Sequence, residues 1–265
     1  MKRYIYKQLL AWKNEKEHKP LILNGARQVG KTYILREFGR NEYKRMAFFS
    51  LDRDQKALEI FNKGGRATDM LMALSAICHE DITPHDTLVV LDEIQNCPKA
   101  LEALKFFCEE TPEIDIVVAG SLLGLSIHSG VSYPVGKVEE LHLYPMTFLE
   151  FLEAMGKTQL VNLLENKNWT VINMLETELI SSLRQYYYVG GMPAAVLAHI
   201  EKKGWKEVRR IQQQIITDYR RDFSKHAPTR EIPRINMVWD SIPAQLAKEI
   251  KKIVYCAVKK CARAA

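Results

Sequence analysis

Two periods of apolar and polar residues run along this chain. Over residues 1–19, Ile5, Leu9 and Trp12 recur at helical spacing with charges opposite, and Pro20 ends the pattern. Short, mostly apolar runs follow at Leu21–Leu23, Met46–Leu51, Thr87–Leu91 and Ile114–Gly120. Runs that are apolar on both faces suit the central strands of a parallel sheet. Between them lie helical patterns from Lys31 to about Gly39, over Asp54–Phe61 and Thr68–Cys78, and from Pro98, where Leu101, Leu104 and Phe107 share a face. This alternation predicts an α/β fold with a parallel sheet. Gly136–Phe151 reads as one more strand turning into a helix. The rest is helical: residues 157–188, then Lys202–Phe223, a linker at Ala227–Pro233 with two prolines, and a turn followed by a basic amphipathic helix over Ile242–Lys260.

Punctuation within the pattern brings in chemistry. After the first strand the chain reads Gly25-Ala26-Arg27-Gln28-Val29-Gly30-Lys31-Thr32, followed by Tyr33. Glycine, four residues, then glycine, lysine and a hydroxyl residue is the pattern of a phosphate-binding loop. The two glycines are expected to let the backbone turn where a Cβ would forbid it, so that successive N–H groups converge on an anion. A helix starting at Lys31 adds unpaired N–H groups and the positive end of its dipole. Lys31 is expected to reach the β- and γ-phosphates of ATP, and Thr32 to ligate Mg²⁺.

The strand Thr87–Leu91 ends in Asp92 and Glu93, where open α/β sheets place their ligands. Asp92 is expected to hold the Mg²⁺ with Thr32, and Glu93 to orient and deprotonate an attacking water. Ser121, at the end of the Ile114–Gly120 strand, is expected to sense the γ-phosphate and report to the Leu122–Leu125 turn; the other reading is a serine capping that turn.

Composition adds limits. The chain is 47% hydrophobic and 26% charged, ordinary for a globular protein. No signal-peptide pattern or continuous apolar span appears, so membrane insertion is not expected. The five cysteines lack C-x-x-C spacing and read as reduced thiols in a cytoplasm. Residues 201–265 hold 16 Lys and Arg against 7 Asp and Glu, a net +9, while residues 1–200 hold 22 against 25, a net −3. The basic part is suited either to contact DNA or a protein partner or to be a solvated helical surface.

With GARQVGKT, LVVLDEIQNCP, VVAGSLLG, PVGKVEELHLYPMTFLEFL and YYYVGGMPAAV in one order, the chain resembles the prokaryotic AAA-type ATPases that precede a C-terminal domain of unknown function, relatives of the archaeal STAND-like ATPases. The resemblance implies an additional-strand P-loop sheet, in which one inserted strand separates the acidic strand from the phosphate-loop strand. It implies a helical lid whose Gly190-Gly191-Met192-Pro193 loop lies near the nucleotide. It gives the division 1–155 as ATPase core, 156–227 as lid and 228–265 as a basic, partial winged-helix-like segment. Family members continue further, into a nuclease-like domain, so this chain is expected to stop short of that domain and no nuclease function is carried over. Lys137 stands where the family often has Arg; it reads as a phosphate contact or a surface lysine. The tyrosines Tyr186–Tyr188 read as an adenine stack or a lid-core cluster.

Two functions follow. One is an ATPase that binds Mg-ATP, hydrolyses the β–γ anhydride and couples nucleotide state to movement of the lid and C-terminal part, with a homo-oligomer as one assembly open to it. The other is a nucleotide-dependent switch of negligible turnover that presents the basic part to DNA or a protein. A small-molecule kinase fits less well, because a water-activating Glu93 works against the exclusion of water.

Overall fold

The computed structural model describes residues 1–121, 133–226 and 229–246. Helix α1 (Ile5–Asn14) precedes strand β1 (Leu21–Gly25). Then come α2 (Lys31–Glu42), β2 (Arg45–Ser50), α3 (Gln55–Lys63), α4 (Ala67–Cys78), β3 (Thr87–Asp92), α5 (Pro98–Glu110), β4 (Asp115–Ser121) and β5 (Glu139–Leu143). The five strands form one sheet in the order β2-β3-β4-β1-β5, and every neighbouring pair is parallel. The acidic strand β3 is separated from β1 by β4, which is the inserted-strand order the resemblance implies.

Burial follows strand position. β1, β3 and β4 are buried at every residue, while the edge strand β5 alternates, with only Leu143 buried. Successive side chains of a strand serve opposite faces. Ile22, Phe49, Val89, Leu91, Ile116 and Val118 pack with Phe61, Leu74, Leu104 and Phe107 of α3, α4 and α5. Leu21, Leu23, Leu88, Val90, Val117 and Ala119 pack with Leu9 and Trp12 of α1 and Leu35 and Phe38 of α2. Two apolar layers thus clamp the sheet, and the carboxyl ends of β1, β3 and β4 share one edge of it.

After β5 the chain is helical: α6 (Phe148–Ala154), α7 (Thr158–Glu165), α8 (Trp169–Met174), α9 (Glu176–Val189), α10 (Pro193–Ile200), α11 (Trp205–His226) and α12 (Ile232–Leu246). The helical stretch expected over 157–188 is three helices. Lys167 takes a left-handed conformation, and the Asn168 side chain accepts the Val171 N–H to start α8. Met146, Phe151, Val189, Ala195, Val196 and Val208 form a third core.

By contacts the chain divides into residues 1–212 and 213–265. Within the second unit, Trp239 of α12 lies edge-on to Phe223 and stacks on Tyr219. The linker expected at 227–233 is shorter than the two prolines suggested. Pro233 lies in the first turn of α12, where a missing N–H costs nothing, and Pro243 lies inside the same helix. Ile232 and Pro233, expected as linker, are therefore helical, and the helix runs on through residues 234–246. Most of the amphipathic stretch expected over 242–260, and the Leu122–Leu125 turn, lie outside the described residues. No helix among the described residues is long and apolar enough to cross a membrane. Cys78, Cys97 and Cys108 are free thiols.

Candidate nucleotide site

The loop from Gly25 to Gly30 leaves the end of β1 and enters α2. Gly30 has φ 99° and Gln28 φ 65°, so the left-handed steps fall on these two residues. The reason for Gly25 differs from the one expected. Its backbone stays out of the left-handed region, but a Cβ there would lie 2.5 Å from the Leu143 carbonyl oxygen of β5. Gly25 is a glycine because the neighbouring strand approaches closely, and Gly30 because the turn into α2 is left-handed.

Lys31 is buried, and its Nζ donates to the carbonyls of Gly25 (2.9 Å) and Ala26 (3.0 Å), which holds the ammonium over the loop. Val29 is buried beneath the loop, Ala26 and Arg27 are half-buried, and Gln28 and Tyr33 face solvent. Thr32 Oγ1 donates to Asp92 Oδ2 at 2.7 Å, although the two residues stand sixty positions apart. Asp92 is buried, and its Oδ1 accepts the Glu93 N–H at 3.1 Å. A hydroxyl and a carboxylate so placed form a hard oxygen set of the kind Mg²⁺ prefers, so these residues fit that ion.

The residue after Asp92 bends sharply. Glu93 has φ 57°, uncommon for a side chain with a Cβ, and a 3-10 turn over Ile94–Asn96 follows. That turn carries Gln95 into the sheet edge. Gln95 is buried, its Nε2 donates to Glu93 Oε2, and its Oε1 accepts the Ser121 N–H at 3.4 Å. Ser121 is buried and lies opposite Gly25 in the β4–β1 register. On the other side, Ser50 pairs with Asp92 in the β2–β3 register, and its hydroxyl donates to Asp52. That bond, first among the causes, holds the Asp52 carboxyl below the usual carboxylate range. The structure therefore brings Lys31, Thr32, Asp92, Glu93 and Ser121 to one edge of the sheet.

Two residues absent from the sequence reading join this edge. Gln95 is one; only the buried turn after the acid pair could have flagged it. Arg3 is the other: its Nη1 donates to the Val29 carbonyl at 3.0 Å. The Gly190–Pro193 stretch approaches the loop through its proline. Met146 N donates to the Gly191 carbonyl at 2.7 Å, and Pro193 Cγ lies 3.8 Å from where a Gly30 Cβ would stand. Tyr186 packs against Phe148 and Phe151 and donates to the Met146 carbonyl, so it belongs to the third core, whereas Tyr187 and Tyr188 are exposed. Lys137 pairs with Glu109 of α5 at 3.0 Å.

The family model described as an AAA domain matches residues 17–152, just over half of the chain. A second, described as a domain of unknown function (DUF8612), matches residues 180–263. That match gives the chain a domain of unknown function within its own length, and lends no support to the expectation that it stops short of one. No curated protein matches the sequence. Among solved structures, the chain is similar to one titled as Drosophila ORC bound to DNA, at 15% identity and TM-score 0.43, over 94% of this chain and 67% of that one. It is similar to Cdc6p from Pyrobaculum aerophilum at 18% and 0.39, over 59% and 50%, and to PCH-2 from C. elegans at 11% and 0.33, over 61% and 46%. The chain thus spans about half the length of the latter two. With its phosphate loop, its acid-ended strand one strand away and the matched family model, the chain belongs to the AAA family of P-loop proteins.

Proposed function

We propose that this chain binds Mg-ATP and hydrolyses the bond between the β- and γ-phosphates. The observation that supports it most is the 2.7 Å bond from Thr32 Oγ1 to Asp92 Oδ2, which joins the loop and the acidic strand in one site. In this reading, the backbone N–H groups of Ala26–Thr32 and the start of α2 receive the phosphates. Lys31 adds a point charge over the β- and γ-phosphates. Thr32 and Asp92 hold Mg²⁺, which when bound supplies charge neutralisation at the phosphate oxygens. Glu93 takes the proton of the attacking water, and Gln95 fixes where that carboxylate points. Ser121, linked to Gln95 through its N–H, is the residue whose position registers the γ-phosphate. The approach of Pro193 to Gly30 gives the lid loop a way to follow the nucleotide, which is how we read the coupling of nucleotide state to the helical part.

The test is turnover of radiolabelled ATP by wild type and Glu93→Gln. The amide keeps the size and loses the base, so binding should persist while the rate falls by about 10²-fold or more. Hydrolysis within a factor of two of wild type would make Glu93 an ordinary strand-end acid. Wild type that binds Mg-ATP without measurable turnover would favour the other reading, a nucleotide-dependent switch.

A further inference from the structure

Among the long cationic side chains, Arg3 has unusual surroundings. It precedes α1 by two residues and is only 7% exposed. An arginine is buried to this degree only when its charge and its N–H groups are satisfied. Three different segments satisfy this one. Nη1 donates to the Val29 carbonyl of the phosphate loop at 3.0 Å, Nη2 to the Tyr144 carbonyl just past β5 at 2.6 Å, and Nε to Glu150 Oε1 of α6 at 3.1 Å. Glu150 is buried as well. Its Oε1 also accepts the Tyr4 N–H at 2.7 Å. Its Oε2 accepts the Thr147 N–H at 2.9 Å, while Thr147 Oγ1 accepts the Glu150 N–H at 3.2 Å, which closes the capping box of α6.

We infer that Arg3 is a positioning residue that sets the Val29–Gly30 peptide of the phosphate loop for anion binding and ties it to the α6 cap. The inference rests on the Mg-ATP reading above. The described chain has no cis peptide bond, so the Val29 carbonyl and the Gly30 N–H lie in one peptide plane and point in opposite directions across the C–N bond. Fixing the carbonyl on Arg3 commits the Gly30 N–H to the face away from Arg3, which is the face where the phosphates are received. A flip of this peptide would turn the negative end of its dipole toward an anion. Glycine does not oppose such a flip, because it occupies left- and right-handed regions with similar ease. A clamp from outside the loop is therefore needed, and Arg3 is one. The buried Glu150 carboxylate offsets the guanidinium charge, so Arg3 acts on the loop through hydrogen-bond direction rather than as a second phosphate-binding cation. Lysine cannot replace it: one ammonium cannot span three acceptors set in a planar fork.

The experiment compares wild type, Lys31→Ala, Arg3→Lys and Glu150→Gln for Mg-ATP affinity by calorimetry, for KM and kcat, and for thermal midpoint. Arg3→Lys should bind Mg-ATP at least about tenfold more weakly, since the directional bond to Val29 is lost while the charge is kept. Its KM should rise more than its kcat falls. Glu150→Gln should move affinity in the same direction by a smaller factor. A lower thermal midpoint with unchanged affinity would make Arg3 a structural ion pair and overturn the inference. Loss of the fold in both Arg3→Lys and Glu150→Gln would overturn it too, by assigning the pair to folding alone. Failure of this inference is distinct from failure of the nucleotide reading: in the first case wild type binds and Lys31→Ala binds more weakly, with Arg3→Lys like wild type. In the second case wild type itself fails to bind.

Discussion

Glu93 and Gln95 illustrate how one side chain acts through another. Glu93 has a left-handed backbone, a conformation that costs of order 1–3 kcal/mol and persists only where the surroundings impose it. Gln95 supplies part of that imposition, with one amide end on the Glu93 carboxylate and the other on the Ser121 N–H. Gln95→Ala should therefore leave Mg-ATP affinity within about twofold and slow single-turnover hydrolysis by about tenfold, because the carboxylate is retained but no longer aimed. Unchanged hydrolysis would show that Glu93 holds its orientation without Gln95. The contrast with what the sequence displayed is physical. Lys31, Thr32, Asp92 and Glu93 were legible because their spacing and their places at strand ends are local patterns. Gln95 and Arg3 are ordinary polar residues in sequence. What singles them out is burial among partners 26 to 147 positions away, which no local pattern records.

Elements position the site through contacts that single residues cannot adjust. β1 lies between β4 and β5, with Gly25 level with Ser121 on one side and Leu143 on the other. An alanine at 25 would bring its Cβ to 2.5 Å from a backbone oxygen, so strand β5 would have to move rather than a side chain rotate. Gly25→Ala should cost about 1–3 kcal/mol in urea unfolding, the usual range for overpacking, and should weaken nucleotide binding as well. Stability and affinity both equal to wild type would show that β5 yields freely. The helices after β5 make a contribution to stability that depends on pH. His199 of α10 stacks on Phe151 and lies beside Trp205, and burial pushes its pKa below the ordinary value. The unfolded chain then takes up the proton more readily than the folded one. The stabilisation is complete above the unfolded pKa of about 6.5 and is lost as pH falls through the lower folded value. Hydrogen exchange over residues 193–200 should accelerate from pH 7 to pH 5 beyond the intrinsic chemical rate change, and His199→Phe should remove the excess. An equal excess in the variant would assign it to another group. Strands β1 to β4 were readable to within a residue or two because each is a short apolar run, whereas β5, Glu-Glu-Leu-His-Leu, showed only as a strand somewhere in the alternating stretch 136–151. The helices over 158–189 were readable only as one helical stretch, since their breaks at Lys167 and Leu175 depend on caps and packing; α10, opened by Pro193, was not read, and α12 was obscured by prolines that its first turn and its far end tolerate.

At the scale of the whole molecule, charge and ligand linkage concern different parts of the chain. The +9 excess of residues 201–265 is not spread evenly. Residues 213–246 hold five Lys and Arg against four Asp and Glu, whereas residues 247–265 hold six against one. Within the described part of the second unit, Arg220 pairs with Asp240, Arg221 with Asp218, and Arg230 and Arg234 with Glu231. A nucleic-acid contact by a switch would thus draw on residues 247–265, and the nucleotide on residues 1–212, where every predicted site residue lies. That separation makes thermal unfolding of the full chain a test of the nucleotide reading. A ligand that binds only the folded state at about 100 times its Kd adds about 2.7 kcal/mol. For a unit of this size, each kcal/mol raises the midpoint by about 2–4 °C, so saturating Mg-ATP should raise the midpoint of the first unit by about 5–10 °C. Chelating the metal should remove much of the rise, because in the proposed reading Mg²⁺ would be held by Thr32 and Asp92 and would neutralise charge that the buried Asp92 and the phosphates otherwise set against each other. Lys31→Ala should lose at least about tenfold in affinity, with a correspondingly smaller rise at the same ATP concentration. Glu93→Gln should keep the full rise, since the base is needed for turnover and not for binding. If Glu93→Gln lost it, Glu93 would belong with the metal ligands or with folding. If wild type showed no rise with Mg-ATP at any concentration, the bond between Thr32 and Asp92 would be a structural contact at a sheet edge.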